Sequence, residues 1–133
     1  GFPGGRREPS DKSNLCCAVR ETSEELGLDL EQWGILLGKL SEVNTGWRSD
    51  RPEILVTPFV FQVKELPPLK PNQEVDDFVW VPLGFLMDPD NREPMEWEWK
   101  GQKMVTASYL YENNRIWGLS LIMIDELMQI IGD

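Results

Sequence analysis

Residues 20–28 read "RETSEELGL", from Arg20 to Leu28. Glu21, Glu24 and Glu25 stand at i, i+3 and i+4, so on a helix they share one face. Like charges at these spacings cost roughly 0.2–0.5 kcal/mol per pair. Arg20, one turn before Glu24, can hold it as an ion pair. A helix over 13–26 follows from Ser13 as N-cap, Gly27 just past the end, and Leu15, Val19, Thr22 and Leu26 as its buried stripe. Taken alone, the three glutamates read as a solvated acidic face. Upstream, however, lies "FPGGRREPSD" (2–11), whose Gly4–Gly5 pair lets backbone approach a ligand closely and whose Glu8 adds a carboxylate. A glycine loop feeding an acidic helix suits a hard divalent cation, because Mg²⁺ takes a few oxygen ligands and leaves the rest of its shell to substrate phosphates and water.

The rest of the chain fixes a class. Its 133 residues, 41% apolar with six Trp, argue for one globular domain, 1–133, with a real core. A formal charge of −10 argues against nucleic acid as the main partner. With no histidine, His-dependent triads and His-ligated zinc are excluded. The adjacent Cys16 and Cys17 read as reduced packing residues, which favours an intracellular setting without choosing between cytoplasm, mitochondrion and peroxisome. The C-terminal "IIGD" is not a peroxisomal address. No apolar run is long enough for a membrane span, and no signal-peptide pattern is visible. "GFPGG" reads as the interior of a domain, so upstream sequence is expected.

Strands are expected over 35–43, over 54–63 with Pro58 marking an edge or bulge, over the start of 74–83, over 95–101 and over 103–111. A helical turn is expected near 83–87, and 44–52, 64–72 and 87–94 read as connections. Residues 117–131 form a long apolar helix with Leu121, Ile124, Leu127 and Ile131 inward, a core element or a homodimer contact. Strands mixed with two helices suggest a mixed α/β or α+β domain. "DPDNREPMEWEW" lacks the Gly and Glu that a calcium loop needs at its sixth and twelfth positions. Trp97 and Trp99, alternating with Glu96 and Glu98, are packing or interface residues, or a stacking platform for adenine.

From Gly5 to Leu28 the chain resembles the Nudix box, Gx(5)Ex(7)REUxEExGU, here "GRREPSDKSNLCCAVRETSEELGL". Arg20, Glu21, Glu24, Glu25, Gly27 and Leu28 match. Thr22 stands where an aliphatic is usual, and Asp11 stands where the first glutamate belongs, one residue further from Arg20. That spacing, with "LKPNQEVDDFVWVPLGFL" (69–86) and "RIWGLSLIMIDELM" (115–128), resembles the coenzyme A diphosphatase branch. The resemblance implies an α+β (α/β/α) Nudix fold with a mixed sheet between helices, strands preceding the glycine loop, and Mg²⁺- or Mn²⁺-dependent attack of water on the diphosphate of coenzyme A or acyl-CoA. The alternatives are another nucleoside diphosphate derivative (ADP-ribose, a dinucleoside polyphosphate, a nucleoside triphosphate) or a non-catalytic binding domain.

By the same resemblance, Glu21 and Glu25 are the principal metal ligands, with the Gly4 or Gly5 carbonyl completing the shell. Glu24 is a further ligand or water activator, and Arg20 orients the glutamates. Glu74, in "NQEVDDF", is either an additional ligand or base or an exposed strand end. Arg6, Arg7, Arg48 and Arg51 are phosphate-binding candidates or ordinary surface charges.

Overall fold

The computed structural model describes residues 1–45 and 54–132. The chain divides into two compact units, Gly1–Phe78 and Val79–Asp133. Helices and antiparallel strands coexist in both, which is the α+β class expected.

In the first unit, α1 runs Asn14–Leu26. The Ser13 hydroxyl accepts from the Cys16 N–H, satisfying one of the orphan donors of the first turn. At the other end Gly27, at φ 66°, closes the helix by donating its N–H to the Ser23 carbonyl. Cys17 and Thr22 are its most buried residues, while Leu15, Val19 and Leu26 are half-buried. Thr22 tolerates this place because its hydroxyl donates to the Ala18 carbonyl at 2.8 Å, so no polar group is orphaned. Asp29 caps the one-turn helix α2, Leu30–Trp33, through the Glu31 N–H.

Strand β1 (Gly34–Lys39) pairs antiparallel with β4 (Phe59–Val63), with a register shift between Leu36 and Gly38. The short β2 (Val43–Asn44) and β3 (Leu55–Val56) pair with each other. The expected strands 35–43 and 54–63 are therefore each broken in two. Pro58 causes the second break as its ring chemistry requires, having no N–H for a ladder; its carbonyl still accepts from Leu40. After β4 the chain crosses to a loop docked on the end of α1. The Lys70 N–H donates to the Leu26 carbonyl at 2.7 Å and the Asn72 N–H to the Glu25 carbonyl at 2.9 Å. These bonds satisfy carbonyls that the helix itself leaves open.

The strand expected at the start of 74–83 does not form. Local side chains take its amides instead: Asn72 accepts from the Glu74 N–H and Asp77 from the Phe78 N–H. Such Asx bonds compete directly with a ladder.

The second unit opens with α3 (Leu83–Met87) and a 3₁₀ turn, Pro89–Asn91. Strand β5 begins at Arg92, within the expected connection 87–94, and runs to Trp99. It pairs with β6 (Gln102–Tyr111), which pairs in turn with β7 (Asn114–Ile116). Both connections are two-residue hairpin turns: Lys100 and Gly101 at φ 50° and 79°, Glu112 and Asn113 at 47° and 65°. Two consecutive left-handed residues match the twist of antiparallel strands. Helix α4 spans Gly118–Gly132. Of its expected inward stripe, Leu121 and Ile124 are buried and Leu127 half-buried, but Ile131 is 45% exposed. The helix outruns the core it packs on. That core is Leu86, Tyr109, Leu121 and Ile124, with Val81, Phe85, Ile116 and Met128 against it. Trp97 packs on Trp117 (centroids 5.5 Å) and Trp99 (6.4 Å). No helix among the described residues is long and apolar enough to cross a membrane.

Tyr109, 3% exposed, donates its phenolic O–H to the Leu86 carbonyl at 3.0 Å. Tyr109→Phe leaves that carbonyl buried without a partner, so we expect a loss of about 1–2 kcal/mol. The check is a lower urea midpoint at an unchanged slope.

Candidate functional site

Cys17, Glu21 and Glu25 recur every fourth residue on α1, so they rise one above another along one helix face. The glycine loop lies on that face. The Gly4 backbone lies close enough to the Glu25 carboxyl to favour its charged form. The Gly5 carbonyl accepts from the Cys17 thiol at 3.5 Å. The Glu21 carboxyl group sits where a side chain at Gly5 would begin: a Cβ there would stand 2.5 Å from its carboxyl carbon. Only glycine permits this approach.

Glu21 and Glu25 are close enough to interact, and burial, followed by the charges of Glu21 and Glu74, pushes the Glu25 carboxyl above its ordinary range despite the opposing Gly4 backbone. The Glu74 charge is thus felt at Glu25. The 70–74 loop that carries it is tied to the end of α1 by the Lys70 and Asn72 amides. The sequence neighbourhood of Glu74 showed an acidic strand end and gave no sign of this docking.

Arg20 stands beside this face and bridges it to the loop. Its Nε and Nη2 grip the two Asp11 oxygens at 2.9 Å each, a bidentate fork. Nη1 donates to Glu21 at 3.1 Å and to both Glu24 oxygens at 3.2 Å, and Glu8 lies 3.7 Å away. Nη2 also reaches the Arg6 carbonyl at 3.3 Å. The acid–base partners raise the Arg20 pKa, the Asp11 hydrogen bond first, so the guanidinium is permanently charged. Glu24 differs from Glu21 in its setting: its side chain is 56% exposed against 15%. The three box glutamates therefore divide, Glu21 and Glu25 beneath the glycine loop and Glu24 out on the Arg20 fork.

Asp11, 7% exposed, is held by Arg20 and also accepts from the Glu8 N–H at 2.8 Å. The Arg20 hydrogen bonds, then the Glu8 amide, lower its pKa from 3.8 to about 2. The folded state thus binds its proton more weakly than the unfolded chain. The stability this contributes is fully present above about pH 4 and is lost as pH falls toward about 2. Asp11→Asn should be less stable than the parent at pH 6, with the difference shrinking over that window in acid-titration unfolding curves.

The arginines proposed for phosphate are placed unequally. Arg7 is committed to its own loop, donating to the Lys12 carbonyl at 3.1 Å and the Asp11 carbonyl at 3.4 Å. Arg6 is exposed, and its backbone rather than its guanidinium meets Arg20. Arg48 and Arg51 lie outside the described residues.

Among the described residues, no three acidic, thiol or imidazole side chains converge as a complete metal cage. The donor set nevertheless fits a Mg²⁺-like ion, which needs only one or two carboxylates when water and phosphate supply the remainder. The observation that decides the fit is the bare α-carbon of Gly5 against the Glu21 carboxylate. Backbone oxygen and two hard carboxylates, Glu21 and Glu25, are the ligand types such an ion prefers.

Comparison with known proteins places this arrangement. The chain is 31% identical over 138 residues to mitochondrial coenzyme A diphosphatase NUDT8 of Homo sapiens, covering 98% of the chain and 55% of that protein. To NUDT8 of Mus musculus it is 28% identical, covering 98% and 61%. To the uncharacterized Nudix hydrolase NudL of Photorhabdus laumondii it is 31% identical, covering 96% and 66%. The chain therefore spans a little over half to two thirds of the length of these relatives. The NUDIX domain family model matches residues 1–99, the glycine loop and the acidic helix included, and the chain belongs to the Nudix family.

Proposed function

We propose that the protein is a Mg²⁺- or Mn²⁺-dependent hydrolase of the diphosphate in coenzyme A or acyl-CoA, yielding 3′,5′-ADP and phosphopantetheine or its acyl form. The observation that carries the hydrolytic reading is the seating of Gly5 on the Glu21 carboxylate. The choice of substrate is supported by the likeness to NUDT8, which extends over nearly the whole chain. A single catalytic domain accords with a family match that runs from the first unit into the second.

A diphosphate repels an incoming water, and a bound divalent cation neutralises its oxygens and makes water a better nucleophile. Glu21 and Glu25, with the Gly5 carbonyl, would hold that cation. Glu24, exposed at the edge of the group, accepts the proton of the attacking water or joins the ligand set. Glu74 adds negative charge beside Glu25 and is a second candidate for the base. Arg20 is a positioning residue: it fixes Glu21 and Glu24 through one nitrogen while Asp11 fixes Arg20. Water adds to one phosphorus, the bridging P–O bond breaks, and the two phosphate products separate. Arg6 is the described arginine whose guanidinium is left to meet a phosphate.

The test is turnover by the full chain with Mg²⁺ or Mn²⁺ on coenzyme A, acetyl-CoA, ADP-ribose, a dinucleoside polyphosphate and a nucleoside triphosphate. Release of 3′,5′-ADP from coenzyme A is the expected result. Turnover of ADP-ribose with coenzyme A untouched overturns the substrate, and no turnover of any member points to a binding domain.

A further inference from the structure

One residue against the glycine loop is neither a carboxylate nor an arginine of the box. Cys17 is 6% exposed and carries a free thiol. It stands one turn before Glu21 on the loop-facing side of α1, and the Gly5 peptide lies between the two: carboxylate against its α-carbon, sulfur against its oxygen. Glycine has no side chain with which to anchor itself, so the direction of its carbonyl is set by what it meets. The same sulfur accepts from Arg20 Nη2 at 3.8 Å, which ties it to the guanidinium that holds Glu21 and Glu24. Cys16, next in the chain, is exposed and touches none of these groups through its thiol; only its amide is engaged, by Ser13.

We propose that Cys17 is a positioning residue for the divalent-cation site, its thiol aiming the Gly5 carbonyl and registering whether the glycine loop is seated. This rests on the cation-dependent reading above. It separates Cys17 from a mere packing residue, because a packing role depends on volume and an aiming role on the S–H donor. Serine and alanine have similar volumes and differ in exactly that respect. A seated loop also covers the thiol, so whatever fixes the loop shields Cys17 and leaves Cys16 open.

Two measurements on the full chain without substrate test it. Mn²⁺ binding is measured for the parent, Cys17→Ser and Cys17→Ala. The serine variant should stay within about twofold of the parent, and the alanine variant should bind about three- to tenfold more weakly, the factor one hydrogen bond carries. Separately, iodoacetamide modification of the parent is followed at each cysteine by mass spectrometry. Cys16 should react faster, and Mn²⁺ should slow Cys17 while leaving Cys16 unchanged. Equal Mn²⁺ affinities in the serine and alanine variants, or a Cys17 rate indifferent to bound Mn²⁺, overturns the inference. If the alanine variant does not fold, the modification rates of the parent decide. Failure of the parent to bind Mn²⁺ at all overturns the cation-dependent reading itself, a different result from failure of Cys17 alone.

Discussion

Glu21→Gln and Glu25→Gln should each lower turnover by about 10³-fold while leaving the fold intact. The change removes one charge and keeps shape and one acceptor oxygen. The carboxylate is already disfavoured at Glu25 by burial and by the charges of Glu21 and Glu74, so neutralising it relieves repulsion. The thermal midpoint of Glu25→Gln should therefore hold or rise, while Glu21→Gln gives up its charge pairing with Arg20 and should melt slightly lower. What is lost is the attraction for a divalent cation at the reacting diphosphate, worth several kcal/mol of barrier, and each ~1.4 kcal/mol is tenfold. The check is paired: initial rates on the best substrate of the panel, and Mn²⁺ affinity without substrate. A variant with parental rate and affinity removes that glutamate from the site. Glu24→Gln separates the two roles left to Glu24. A fall in rate at parental Mn²⁺ affinity marks it as the base, and a fall in both marks it as a ligand.

Much of this site could be read from the chain before its folding was known, and the reason is geometric. Helical spacing fixes which side chains share a face, so Glu21 and Glu25 with Arg20 one residue off follow from numbering alone. Ser13 and Gly27 mark the helix ends by chemistry that acts within four residues. What numbering could not give was anything held by distant partners. The loop that carries Glu74 docks on the end of α1 through two backbone amides more than forty residues further along the chain, and no local pattern announces that docking. The same holds for Asp11: its place at an irregular distance from Arg20 looked like a departure from the box, yet the Arg20 fork closes on it all the same.

The strand misreadings share one cause. "EVDDFVWV" has strand-like composition, but Asn72 and Asp77 offer its amides nearer partners. "NREP" has a loop's composition, but the hairpin register carries pairing back to Arg92 opposite Tyr109. Propensity speaks for a residue alone, whereas a ladder is settled by what lies across from it.

Gly5→Ala carries the second large expectation, a loss of about 10²-fold in turnover from a single added methyl group. No positive φ marks this residue, so alanine meets no backbone strain there. The obstacle is its neighbour. The new Cβ would stand 2.5 Å from the carboxyl carbon of Glu21 and 2.6 and 2.8 Å from its oxygens, well inside contact distance. Backbone and helix are stiff, and a glutamate terminus is not, so the carboxylate is what moves. Moving it about 1 Å off its position is enough to cost on the order of 10²-fold in rate. The shift also pulls Glu21 from the Arg20 nitrogen it now meets at 3.1 Å. Gly4→Ala is the matched comparison, since a Cβ there meets nothing within 4 Å. The pair therefore tests position rather than glycine content: Gly5→Ala should fall far below Gly4→Ala in rate, with both melting near the parent. Equal effects would mean that the loop's contact with Glu21 plays no part in the chemistry, and the metal-site geometry argued from it would have to be given up.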